Sequence, residues 1–289
     1  MDSPAIPEHL KAVHEELLRQ GRDPRQASAS LQAVTENAST QAPIRELKAV
    51  LGDAAGVDAL ERLLLFHATA CALPRVDELR VHDSVKRLLR TEMESLPVAR
   101  GTLRVGTYDF VWAARMATLR RFPAGPMDWV ISGVPRSWMW QAGTGMFRLG
   151  WFTATRLRGF RPCFVMHVAR RPRSRALVLE KEVNRSYYRM ARSLELQPEM
   201  RALVAAAWFH DPRAEAHYPH LSALSRPYRE NGGIIVPLGP ASLDSGVLEG
   251  NAQRRRQVEA GELSYRVGLA IWPRNEAIAW ARAHPEYDA

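Results

Sequence analysis

Residues 208–220 read WFHDPRAEAHYPH and hold three of the chain's nine histidines. The stretch overlaps the end of an apolar run, Ala202 to Phe209, with the composition of a buried strand. His210 and Asp211 then stand at the strand's carboxyl end, the edge at which open α/β sheets bind ligands. A histidine beside an aspartate at that edge could serve as general base and orienter. Adjacent residues of an extended chain point to opposite faces, and Pro212 turns the chain immediately afterwards. Asp211 therefore also reads as the N-cap of a following helix.

His217 and His220 would share one face of a helix, but Pro219 between them argues against the helix. Neither an HExxH nor a CxxC pattern occurs. No metal is expected at His210, His217 and His220, because zinc sites anchor on ligand pairs held by regular structure.

CFVMHVARRPRSR, residues 163–175, joins an apolar strand to a loop carrying Arg170, Arg171, Arg173 and Arg175, with a long helix after it. A basic loop leading into a helix N-terminus can hold an anion, here chiefly through Arg170, Arg171 and Arg173. The loop has no glycine cradle, so it is neither a P-loop nor a dinucleotide fingerprint. It reads equally as a solvated basic turn. ISGVPRSWMWQAGTG, residues 131–145, combines a proline-bounded turn with Arg136, Ser137, Trp138, Trp140 and two glycines. Flexible glycines and aromatic rings in one connection suit a ligand wall, formed by Arg136, Trp138 and Trp140 with Trp208. Ser137 lacks the GxSxG elbow of a hydrolase nucleophile. Trp138 and Trp140, read as extended chain, would instead be one core and one cover residue.

The remaining reactive types read as structural. His67 precedes Cys71 by four residues on an apolar helix, which permits a Cys–His pair, but a buried cysteine ordinarily packs as a small hydrophobe. Cys163 opens a strand and reads the same way. Arg254, Arg255 and Arg256 are consecutive, so a helix would spread them around its axis as a solvated face.

The elements that must position these residues change character near residue 99. Residues 1–98 read as an all-helical N-terminal segment: a first helix ends at Gly21, weaker ones cover 26–40 and 44–51, and stronger ones cover 57–73 and 77–96. Residues 99–289 read as an α/β domain. Its strands fall at 102–106, 128–134, 163–169, 202–209, 233–239 and 265–272. Its helices fall at roughly 107–121, 144–159, 175–197, 214–230, 248–260 and 275–284. Continuous apolar strands alternating with helices predict a mixed, largely parallel sheet flanked by helices.

The order strand 163–169, basic loop, helix 175–197, strand 202–209, helix, strand 233–239 resembles the second half of the GCN5-related acetyltransferase fold. In that family a loop similar to Q/R-x-x-G-x-G/A holds the pyrophosphate of coenzyme A. RRPRSR stands in its place here and lacks both glycines. The resemblance covers about 75 residues and rests on the order of elements. It implies coenzyme A as a cofactor and no particular catalytic residue.

The chain of 289 residues has a net charge of +9, unevenly spread. Residues 100–192 hold 18 Lys+Arg against 4 Asp+Glu, whereas the segments on either side are slightly acidic. Such a field attracts a phosphate-rich cofactor, a nucleic acid or a membrane headgroup. No run is long and apolar enough to suggest a membrane span, and no signal peptide is visible, so no membrane partner is expected. Two distant cysteines suit a reducing compartment, and a bacterial-type cytoplasm is the expectation.

Three functions follow. The first is an acyl-coenzyme A dependent transferase acting on a small amine or hydroxyl. The second is a cofactor-free biosynthetic enzyme acting on a small anionic metabolite. The third is nucleic-acid binding, for which no zinc-finger, RNP or KH signature is present.

Overall fold

A computed structural model describes residues 6, 8–19, 21, 23, 31, 57–96, 108–169, 176–177, 179–240, 256–257, 259–261 and 266–288. The chain divides into two units. One comprises Met1–Leu79 and Asp83–Phe122, the other Arg80–His82 and Pro123–Ala289.

The first unit is helical: α1 (Glu8–Arg19), α2 (Val57–Ala72), α3 (Asp83–Ser95) and α4 (Tyr108–Ala117). Leu10 and Leu17, seven apart and hence on one face of α1, are buried with Leu63, Leu64, Leu65, Phe110 and Ala114. Gly21 closes α1 with a positive φ of 70° and donates to the Leu18 carbonyl, as a C-terminal glycine can without a Cβ penalty. Pro74 does more than end α2. It opens a 3-10 turn, Leu73–Glu78, so α3 begins at Asp83 and not at 77. Of the expected helix at 26–40 only Leu31, helical and buried, is described, and the expected helix at 44–51 and strand at 102–106 lie outside the described residues.

The sheet contains β1 (Arg121–Pro123), β2 (Met127–Ser132), β3 (Cys163–Val168), β4 (Ala202–Ala207), β5 (Ile234–Pro240) and β6 (Arg266–Pro273). Its order is β1-β2-β3-β4-β6-β5. The helices of this unit are α5 (Arg136–Gln141), α6 (Gly145–Phe152), α7 (Glu180–Glu195), α8 (Pro212–His217), α9 (Arg226–Glu230) and α10 (Arg274–Ala283). Two expectations change. The sheet is mixed but mostly antiparallel: β2–β3, β4–β6 and β5–β6 are antiparallel, and β3–β4 is the parallel pair. Apolar continuity reports burial of both faces, not strand direction. The helix expected at 214–230 is instead two short helices and a 3-10 turn, Pro219–Leu224, because Pro219 and Pro227 each remove a backbone donor.

β4 and β6 lie beside each other inside the sheet, which explains why ALVAAA and GLAIWP carry almost no polar group. α7 buries Val183, Tyr187, Met190, Ala191 and Leu194, the helical spacing that makes one continuous stripe. Val134, Leu149, Cys163, Val165, Val204, Val236, Leu269 and Ile271 form a core cluster of this unit.

Candidate active site

At the end of β4 the extended chain stops at Ala207 and tightens into a 3-10 turn, Trp208–His210. Asp211 ends that turn. Its carboxylate accepts from the Arg213 backbone N–H at 3.0 Å, capping α8, and from the Arg266 N–H at 2.6 Å, where β6 begins. Asp211 thus satisfies orphan donors of a helix and pins two ends of the sheet together.

His210 is buried, with 1% of its surface exposed. Its Nδ1 lies 2.9 Å from Ser225 Oγ, and that hydroxyl donates to the Phe209 carbonyl at 3.4 Å. The serine hydroxyl has one proton to give: donated to the Phe209 carbonyl it leaves Nδ1 protonated and Nε2 with a lone pair, donated to Nδ1 it leaves the imidazole proton on Nε2. Nε2 is buried without a hydrogen-bond partner. Burial, reinforced by the Arg229 guanidinium, lowers the His210 pKa to about 3, so the ring is neutral near pH 7. A buried ring nitrogen without a partner calls for an explanation, of which a role in function is one.

Gly268 makes this placement feasible. It pairs with Ala207 in the β4–β6 ladder, and a Cβ there would stand 2.6 Å from His210 Cβ and 2.9 Å from its carbonyl carbon and oxygen. Glycine inside an apolar strand marks close backbone approach.

Around this point lies a cavity of about 390 Å³, within the usual range for a small-molecule pocket. His210, Asp211, Arg148, Arg229 and Arg266 line it, with the Ile234–Pro237 side of β5. Arg229 is paired with Glu215. Arg148 and Arg266 have no carboxylate partner among the described residues. A pocket with two uncompensated guanidiniums favours an anion.

The same edge of the sheet has a second feature. β2–β3 and β4–β6 each keep six register pairs, but β3 and β4 are joined only at Phe164↔Leu203 and Val165↔Val204. Towards their carboxyl ends no further register pair joins them among the described residues. A ligand with its own amides could bond to the strand edges where the ladder stops.

Of the residues singled out in the sequence, the structure brings His210 and Asp211 to one cavity wall. The partner of the His210 ring is Ser225, and Asp211 is occupied by two backbone amides. Arg136, Trp138 and Trp140 are not in that wall. Their segment is the helix α5 and not extended chain. Trp138 is half-buried against the core, and Arg136 and Trp140 are exposed. Residues two apart on a helix still face opposite ways, so the core-and-cover reading of the two rings survives the change of element. Trp208 is half-buried against Phe209 and Tyr218. Arg170, Arg171 and Arg173 lie outside the described residues.

His217 closes α8 with Nδ1 at 2.8 Å from the Arg213 carbonyl oxygen, and His220 meets the Tyr218 ring. Among the described residues no three His, Cys, Asp or Glu side chains gather as a metal site. Cys71 is exposed while His67 is buried beside His14 and Phe66. Cys163 is buried, and burial pushes its thiol up to about 11.

Sequence reasoning missed Arg148, Ser225, Arg229, Arg266 and Gly268. Arg266 and Gly268 had a signal, a charge and a glycine interrupting YRVGLAIW. Ser225 had none, since it reaches His210 from fifteen residues away.

No family model and no curated protein matches the chain. Among solved structures it is similar to an acyltransferase in complex with decanoyl-CoA and teicoplanin. The identity is 14% and the TM-score 0.48, over 90% of this chain and 87% of that one. A second, an acyltransferase in complex with CoA and 10C-teicoplanin, shares 12% identity with a TM-score of 0.45, over 90% and 87%. At these scores the likeness assigns no activity to this chain. No helix among the described residues is long and apolar enough to cross a membrane.

Proposed function

We propose that the chain is an enzyme that transfers an acyl group from an acyl-coenzyme A to a small amine or hydroxyl acceptor. The observation that carries this reading is a cavity at the exit of β4 lined by His210, Arg148 and Arg266, in a sheet whose β3–β4 ladder is limited to two register pairs. An arm containing amides can bond to the strand edges where the β3–β4 ladder stops. Arg148 and Arg266 are placed to meet negative charge, and Arg170, Arg171 and Arg173 follow the β3 terminus in the chain. The donor supplies an activated thioester. The acceptor's nitrogen or oxygen bonds to the thioester carbonyl carbon, the C–S bond breaks, and coenzyme A leaves as the thiolate, which then takes the proton the nucleophile gave up.

With the imidazole proton on Nδ1, His210 Nε2 would accept the proton released from the nucleophile once the ring, buried in this structure, opens to the cavity. With a pKa of about 3 it is a weak base and first orients the N–H or O–H by accepting a hydrogen bond. It takes the proton late, once bond formation has made the nucleophile strongly acidic. A bound anion would offset Arg229 and raise the histidine's proton affinity. Ser225 holds the ring through Nδ1, and Asp211 acts by fixing the loop and not by touching the ring.

The test is calorimetry of the full chain with coenzyme A, paired with thiol release from acetyl-coenzyme A in mixtures of amines and alcohols. Saturable heat, and thiol release lost in His210→Gln, support the reading. Absence of heat with coenzyme A rejects it. A second reading, a coenzyme-free enzyme of a small anion, is favoured by the arginine-lined cavity taken alone. It predicts a thermal shift with small carboxylates or phosphates and none with coenzyme A.

A further inference from the structure

Residues 129–179 contain nine arginines and no aspartate, glutamate or lysine. Within that stretch α5 and α6 hold three large aromatic side chains in solvent: Trp140 is 77% exposed, Phe147 79% and Trp151 74%. Phe147 and Trp151 are four residues apart, so they share one face of α6, while Leu149, buried completely, marks the opposite face. Arg136, Arg148 and Arg158 are exposed and have no carboxylate partner among the described residues. Arg156, the neighbour of Arg158 on the π-helical turn Thr153–Leu157, is tied to Glu276.

We propose that the α5–α6 face docks on an anionic lipid surface, with Phe147 and Trp151 entering the interface and the flanking arginines meeting the headgroups. A helix with aromatic rings outward and basic residues beside them has the composition of an interfacial element. Arg136, Arg148 and Arg158, exposed on or next to these helices, supply charge complementarity to phosphate headgroups. The same charge argues against a second copy as occupant, because a two-fold contact would set this basic face against itself. Phe147 and Trp151 project from the helix face opposite buried Leu149, which favours insertion over base stacking. The sequence expectation of no membrane partner rested on the lack of a spanning segment, and a surface contact needs none. The inference holds whichever reaction the cavity performs.

The test is flotation of the full chain with vesicles of phosphatidylcholine alone and of phosphatidylcholine containing one third phosphatidylglycerol. The expected result is binding to the anionic vesicles at least about tenfold tighter than to the neutral ones, and weakened by high salt. The double variant Phe147→Ser/Trp151→Ser should bind at least about tenfold more weakly with an unchanged melting temperature. Single-site Trp151→Phe, which keeps an apolar ring, should retain most of the binding. No flotation with anionic vesicles overturns the proposal, as does flotation that the double variant leaves intact. Binding of a labelled single-stranded oligonucleotide that requires Phe147 and Trp151, with vesicles ignored, also overturns it and makes nucleic acid the partner.

Discussion

Tyr187, Tyr228 and Trp272 are wholly buried, whereas Trp140, Phe147 and Trp151 stand mostly in solvent in the same unit. In the buried set the ring centroids lie 5.5–5.8 Å apart with tilted and edge-to-face planes, favourable geometries for rings with negative faces and positive edges. Every polar tip has a partner. Tyr187 Oη donates to the Leu224 carbonyl at 2.7 Å, Trp272 Nε1 to the Asn231 carbonyl at 2.9 Å, and Tyr228 Oη to Met166 Sδ at 3.6 Å. Burial holds both tyrosine pKa values well above their ordinary range, so neither ionises under working conditions. His210 packs against Tyr228 with ring centroids 5.6 Å apart, so this cluster supports the His210 ring from behind. The exposed set supports nothing above it. The difference teaches that residue type does not separate framework from contact surface; partner satisfaction and position on the element do.

Breaking the buried set should have the largest effect. Trp272→Ala should cost about 3–5 kcal/mol, read as a fall in the urea midpoint. A cost near zero would mean that the cluster is not the framework described.

Next is pH. His210 has a folded pKa of about 3 against an ordinary 6.5. The unfolded chain therefore binds the extra proton first as pH falls. The stability contribution is fully present above about 6.5 and is lost progressively as pH falls towards 3, by up to several kcal/mol. Between pH 6.5 and 5, before carboxylates titrate, the wild type should lose more stability than His210→Gln. Equal slopes would place the imidazole in a wetter setting than its burial indicates.

Gly268→Ala should cost about 1–3 kcal/mol, because the new methyl meets His210 backbone and Cβ. Under the acyl-transfer reading, thiol release should fall further than stability accounts for.

Phe147→Ser, at the exposed extreme, should change stability by no more than about 0.5 kcal/mol. A larger loss would show that the α5–α6 face is covered in the folded protein.

Much of the second unit was legible in the sequence. Cys163–Val168, Ala202–Ala207, Ile234–Pro240 and Arg266–Pro273 fall on the apolar runs that announce strands, and α10 starts within a residue of its periodic pattern. These signals are local, since burial of a strand needs only apolar residues in a short run. β1 was hidden because three residues, Arg121–Pro123, cannot carry a period. α5 was hidden because six residues with two tryptophans and a preceding proline satisfy turn and helix equally. At the site, the position of His210 at a strand exit and the capping role of Asp211 followed from one strand end and one proline.

What the sequence by itself determined is the strands β2 to β6, the burial of β4 and β6, and a positive field centred on residues 100–192. Tertiary structure alone decided which strands run parallel, where the β3–β4 ladder stops, and which side chains meet at His210. Ser225 and Arg229 come from the cap and body of α9 and Gly268 from β6, and no local pattern encodes their approach to His210. Propensity and periodicity act over a few residues, whereas a site is assembled by packing forces that ignore distance along the chain.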